Sequence, residues 1–176
     1  MKKLFLLIIC FIFLAPCSDS KIITGEVEYN VNSAREEAFS EKPLTPNKYV
    51  LQSNITDRNN LENKTTLLKG ITEIKDRTLA YFSDGSYGVM YKDNPTSVFY
   101  YNSNGILTHN EIKDSLTYPY KTYKYNTYGK LVNITLRISE DETFIFKPSG
   151  EMIAHWKKEN CYDENNNIIM TRKILK

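Results

Sequence analysis

Few side chains in this chain can do acid–base or nucleophilic chemistry. There are two imidazoles, His109 and His155, and three thiols, Cys10, Cys17 and Cys161. His155 stands six residues before Cys161, at the return from one expected hairpin to the next. A small hydrolase would be built there, with His155 as base and Cys161 or Asp163 as its partner. Nothing nearby supplies a third, orienting group, and the competing reading is a strand histidine with an ordinary hydrogen bond. Asp163-x-Asn165-x-Asn167 imitates the first three ligands of a calcium loop, but Ile168 and Ile174 stand where such a loop needs Gly and Glu. That segment reads as turn chemistry, and neither a metal nor a cofactor is expected. Gly-rich phosphate loops, Cys-x-x-Cys pairs, His-Glu-x-x-His helices and Gly-x-Ser-x-Gly elbows are all missing from the sequence.

Aromatic side chains are the richer resource. Eleven of the thirteen tyrosines fall between Tyr81 and Tyr162. Tyr100, Tyr118, Tyr120, Tyr128 and Trp156 lie outside the core register of the pattern described next, so they are candidates for an exposed face that stacks on sugar rings or anchors a protein. The alternative is cross-strand pairs that only stabilise a sheet. Tyr128 and Trp156 flank expected turns, where side chains leave the core register, and these two are the positions chosen for ligand binding.

The elements that would position them come from an internal repeat. Leu79-x-Tyr81-x-x-x-Gly85-x-Tyr87 is followed by Phe99-x-Tyr101-x-x-x-Gly105-x-Leu107, Tyr123-x-Tyr125-x-x-x-Gly129-x-Leu131 and Phe144-x-Phe146-x-x-x-Gly150-x-Met152. A decayed fifth copy, Tyr162-x-x-x-Asn166-x-Ile168, puts Asn at the glycine position, and the turn residues are spaced by 20, 24, 21 and 16. Residues two apart on a strand share a face, so the paired apolar residues before each turn point into one core. Gly, and less readily Asn, accepts the positive φ that a tight hairpin turn demands.

Tyr123-Lys124-Tyr125-Asn126-Thr127-Tyr128-Gly129-Lys130-Leu131 resembles the YD repeat of Rhs-type bacterial proteins, whose pattern is Tyr-x-Tyr-Asp-x-x-Gly-x-Leu. Tyr162-Asp163 keeps the Tyr-Asp step, while Asn102, Asn126 and Lys147 replace the usual Asp. The resemblance covers residues 79–170 in about five units. Long arrays of that family wind into shells that enclose a toxin or bind surface sugars, and this chain is too short to close one. An aromatic β-meander that drifted into the pattern, or a MORN-type repeat with its aromatics nearer the turn, are the alternatives.

Residues 21–70 read differently. Ile22–Tyr29 has strand character, and Ser33-x-x-Glu36 has the spacing of a capping box. A helix from about Ala34 to Lys42 is expected, stopped by Pro43 and Pro46. A second helix is suggested from Asp57 to Lys69, ended by Gly70.

Residues 1–20 have the order of a secretory signal: Met1-Lys2-Lys3, an apolar run from Leu4 to Ala15, then Ser18-Asp19-Ser20. The run is about twelve residues, short of the ~20 that span a bilayer. Leu14-Ala15-Pro16-Cys17 resembles a bacterial lipoprotein signal in which Cys17 is lipidated, with Pro16 where that family has Gly, Ala or Ser. Ordinary cleavage after Cys17 or Ser20 is the alternative. Losing Lys2, Lys3 and Asp19 reduces 23 basic and 21 acidic residues to 21 and 20, a balance that offers no basic stripe for nucleic acid.

The sequence therefore predicts an α+β chain: a signal over 1–20, a mixed strand/helix segment with one or two helices over 21–70, and an antiparallel β-meander of repeated hairpins over 71–176. The function expected is an exported, non-catalytic binding or structural module of the cell envelope. It would be periplasmic, outer-membrane-tethered or extracellular. Carbohydrate or an envelope protein is the expected partner, and a membrane enters only through an anchor at Cys17. The alternative is the small exported hydrolase using His155 with Cys161 or Asp163.

Overall fold

A computed structural model describes residues 28–47, 51, 60 and 70–172. The expected signal, Cys17, most of the Ile22–Tyr29 strand and nearly all of the Asp57–Lys69 helix lie outside them. What is described is mostly β. Eleven strands form one sheet in strictly sequential order: β1 (Ile71–Glu73), β2 (Arg77–Tyr81), β3 (Tyr87–Tyr91), β4 (Ser97–Tyr101), β5 (Leu107–Lys113), β6 (Tyr120–Asn126), β7 (Leu131–Arg137), β8 (Glu142–Phe146), β9 (Met152–Lys157), β10 (Asn160–Tyr162) and β11 (Ile168–Thr171). Every neighbouring pair is antiparallel. One short helix, α1 (Val31–Ala38), packs against β7 and β8. The meander expected over 71–176 is present through Thr171, and among the described residues the helical share is small.

The repeat is a single turn used five times. Gly85, Gly105, Gly129 and Gly150 have φ between 74° and 89°, and Asn166 at the decayed position has φ 61°. Each donates its N–H to the carbonyl three residues back, on Phe82, Asn102, Asn126, Lys147 and Asp163, at 2.9–3.1 Å. Each of those entry residues donates in turn to the carbonyl four residues on. This is a type I turn closed by a left-handed residue and a bulge. The entry side chain strengthens it where it is Asn or Asp. Oδ1 of Asn102, Asn126 and Asp163 each accepts two backbone N–H groups of its own turn at 2.8–3.0 Å. Asn thus does the turn work of Asp at two positions, whereas Lys147 has no acceptor to offer.

A Cβ added at Gly129 would meet nothing within 4 Å, so a substitution there reports backbone strain alone. Gly129→Val is expected to cost about 1–3 kcal/mol, measured by chemical denaturation. A neutral result would contradict the left-handed assignment.

Alternation puts the apolar members of each repeat on one face. Leu79, Phe99, Tyr101, Tyr123, Tyr125, Phe144 and Phe146 are buried before the turns, and Tyr87, Leu107 and Met152 after them. The fifth copy departs, since Ile168 is 57% exposed. Two clusters result. One gathers β5 to β9 with Ala34 and Ala38, and the other gathers β2 to β5 with Leu51. The N-terminal segment is therefore the layer over this face, as Tyr125 donating its hydroxyl to Leu44 O at 2.6 Å also shows.

The helix starts earlier than Ser33-x-x-Glu36 implied. Asn30 is the cap, its Oδ1 accepting from Asn32 N and Ser33 N at 2.9 Å, while Ser33 Oγ accepts the Asn30 N–H at 3.0 Å. Asn caps as well as Ser, and Ser33 takes the role a glutamate usually fills three residues on. Nor do the prolines stop it. Phe39 and Ser40 turn back onto Arg35 O and Glu37 O, ending the helix at Ala38. Ala34 and Ala38, wholly buried one turn apart, let α1 approach the sheet. Arg35 then joins it to two repeat turns, donating Nε to Gly150 O at 2.8 Å and pairing with the Glu164 carboxylate.

Candidate functional site

The face away from α1 carries the exposed chemistry, and the sheet register builds it. Gly88 on β3 pairs with Tyr100 on β4, Tyr100 with His109 on β5, and His109 with Asn126 on β6. Tyr100 is consequently layered between two rings. Phe82 stacks on it with centroids 6.2 Å apart, and His109 on its other side at 4.4 Å and 12°. Gly88 is the floor: a Cβ there would come within 3.4 Å of the Tyr100 ring and of Val98 Cγ1. A bare backbone beside a large ring is how a sheet accommodates such a ladder.

Polar groups border the ladder. Tyr100 Oη donates to Glu111 Oε2 at 3.3 Å, and Lys124 pairs with Glu111 across β5 and β6. Thr108 Oγ1 donates to Tyr100 O at 3.0 Å, so its contact with His109 Nδ1, also 3.0 Å, requires the proton on Nδ1. The neutral ring then presents Nε2 as an acceptor, 3.8 Å from Glu111 Oε1. Burial, with Lys124 nearby, pulls the His109 pKa down to about 4. Burial, with Glu111 beside it, pushes the Tyr100 phenol far above its ordinary value. At neutral pH the ladder is uncharged and flanked by one carboxylate and one ammonium.

The His109 shift has a sign that can be tested. Its folded pKa lies below the unfolded value of ~6.5, so the unfolded chain takes up the proton first. The stability it confers is complete above pH ~6.5 and is lost as pH falls from there towards 4. Melting temperatures should drop over that window, and His109→Gln should flatten the drop. An unchanged profile would show that His109 is not held neutral.

The two positions chosen from sequence are not brought together. Tyr128 is 89% exposed in the β6–β7 turn, its N–H bonded to Asn126 Oδ1. Because Asn126 pairs with His109, Tyr128 stands at the same glycine-turn end as the ladder. Trp156 pairs with Thr143 and Cys161, near the opposite end of the strands, and its ring lies under the Arg172 guanidinium at 4.6 Å. One is an open ring and the other a covered one.

Nor does the alternative pair of His155 with Cys161 or Asp163 assemble. Tyr162 pairs with His155 and Cys161 with Trp156, so alternation puts the imidazole and the thiol on opposite faces. Cys161 is buried, and that burial pushes its thiol up, away from the nucleophilic thiolate. Asp163 is occupied by its own turn, where the Asn167 side chain and backbone N–H hold its carboxyl below the usual range. The partner of His155 is Glu142, with Nε2 and Oε1 2.9 Å apart, and the imidazole stacks on Phe144 at 3.9 Å.

Among the described residues, no group of three or more His, Cys, Asp or Glu could hold a metal ion, and no helix is long and apolar enough to cross a membrane. Sequence reasoning missed Phe82, Glu111 and the role of Gly88. Tyr100 was visible as an outward residue, but its neighbours depend on register. Comparison with known proteins adds no relative: no family model, no curated protein and no solved structure matches the chain.

Proposed function

We propose that this chain is an exported, non-catalytic binding module of the bacterial cell envelope, a short relative of the YD-repeat proteins. Its ligand is a carbohydrate or an envelope protein, held at the glycine-turn end of the uncovered sheet face. The observation that carries this is the Phe82–Tyr100–His109 ladder over Gly88, with Tyr128 exposed at the same end of the strands. Stacked rings offer an apolar surface to the C–H face of a sugar, while Glu111 and neutral His109 accept hydrogen bonds from its hydroxyls. A charged ligand has no reason to prefer this site.

The test is binding of the processed chain to a glycan array and to solubilised envelope polysaccharide. Tyr128→Ala and Phe82→Ala should each weaken binding about tenfold or more while leaving the circular-dichroism spectrum intact, and Trp156→Ala should leave binding unchanged. Binding that survives both of the first two variants would place the ligand elsewhere. Mass spectrometry of the mature N-terminus tests export. A lipidated Cys17, or a free Ser18 or Lys21, supports it, and a retained Met1 overturns it.

A further inference from the structure

The sheet ends on a strand unlike the other ten. Ile168, Ile169 and Met170 are 57%, 53% and 58% exposed, three consecutive large apolar residues with solvent on both faces of β11. Exposed apolar edges attract another strand, and charge inside the strand is one of the devices that blunt them. β11 places no charge between Asn167 and Arg172.

Its backbone is also set to pair. Arg172 donates its N–H to Glu159 O at 2.8 Å, so the two-residue alternation of the ladder turns the N–H and C=O of Thr171 away from β10. At the other end Asn167 O accepts the Asp163 N–H at 3.0 Å, so the same alternation turns the N–H and C=O of Ile168 outward, and Ile169 between them is the extra residue of a bulge. From these features we infer that β11 is a self-association edge, joining two copies of this chain by antiparallel pairing of β11 with β11 about a two-fold axis. The occupant is a second copy because the strand is charge-complementary to its own reverse. Acidic Asp163 and Glu164 precede it, while Arg172 and then Lys173 follow it. An antiparallel arrangement sets the acidic end of each copy towards the basic end of the other, and a parallel one would stack like charges. The interface is isologous, so it closes at two copies and exhausts the edge. It lies at the far side of the sheet from the Phe82–Tyr100–His109 ladder on β2 to β5, so this inference stands independently of the ligand proposal.

The experiment is sedimentation equilibrium of the full processed chain from about 1 to 200 µM, with hydrogen exchange of the β11 amides at both extremes. A monomer–dimer equilibrium is expected, with slowed exchange at Ile168 and Thr171 at high concentration. Ile169→Lys and Thr171→Pro should each raise the dissociation constant tenfold or more. Neither change removes a backbone bond to β10, since Lys keeps the Ile169 amide and the Thr171 N–H points away from β10, so the melting temperature extrapolated to the monomer should stay unchanged. A monomer throughout, a series of oligomers growing beyond two, or a dimer insensitive to both variants would each overturn the assignment. Slowed exchange at β1 in place of β11 would do so as well.

Discussion

Phe144→Ala is expected to destabilise the chain by about 3–5 kcal/mol, the range for removing a fully enclosed phenylalanine and leaving its cavity. Phe144 is wholly buried on β8 between Leu136 of β7 and His155 of β9. Its ring lies 3.9 Å from the imidazole and 6.3 Å from Phe146. It belongs to the cluster that Ala34 and Ala38 close from above, so the cavity cannot fill without moving α1. A second consequence follows for His155, which loses one ring face and keeps Glu142 and the more distant Tyr162 ring as partners. Phe144→Leu, which keeps most of the volume, should cost less than about 1.5 kcal/mol. Urea unfolding measures both. A loss below 1 kcal/mol for the alanine variant would mean that the helix–sheet interface is not the core described here.

The second large effect is expected at Lys121. Its side chain is only 6% exposed, under the C-terminal end of α1, and its ammonium donates to Ser40 Oγ at 3.0 Å and to Glu37 O at 3.5 Å. The Glu37 and Asp114 carboxylates lie 3.7 and 3.9 Å away. A cation at a helix C-terminus answers the orphan carbonyls and the negative end of the dipole. Removing it leaves two carboxylates and a helix end uncompensated, but both carboxylates reach solvent, so the cost falls short of a fully buried pair. Lys121→Ala should lose about 2–3 kcal/mol. Lys121→Met keeps the aliphatic stem and should lose about 1–2 kcal/mol. The difference between them isolates the stem, and the loss common to both is that of the ammonium. Equal stability of Lys121→Met and the unaltered chain would show that the charge contributes nothing.

Much of the repeat half is legible in the sequence because its determinants are local. Gly129 needs positive φ whatever surrounds it, and the spacing that found Gly85, Gly105 and Gly150 also picked Asn166, which adopts the same conformation. The two-residue period then assigned Phe99 with Tyr101, and Phe144 with Phe146, to one buried face. Local signals fail where two residues can do one job. Asn30 and Ser33 are both good caps, and which one begins the helix depends on the residue three places on, where Ser33 serves as well as Glu36.

Whatever depends on partners far along the chain was beyond the sequence. The sequence offers His155 its neighbours Cys161 and Asp163, but its partner is Glu142, thirteen residues earlier. That pairing is set by the β8–β9 register and the bulge between Ile145 and Phe146. A one-residue change in such a bulge moves a side chain to the other face. The same holds for the ladder, since Phe82, Gly88, Tyr100 and His109 meet only after three hairpins have fixed their offsets.

The sequence by itself determined the hairpins, their turns and which residues face inward, because glycine conformation and strand alternation act within a few residues. It also determined the near-neutral charge and the shortage of catalytic groups. The tertiary fold alone places α1 over β7 and β8, closes the helix end with Lys121, and leaves Tyr128 open at the glycine-turn end while Trp156 lies beneath Arg172. These are contacts between groups many residues apart. Their geometry follows from the accumulated register and bulges of the whole sheet, and no local preference records that.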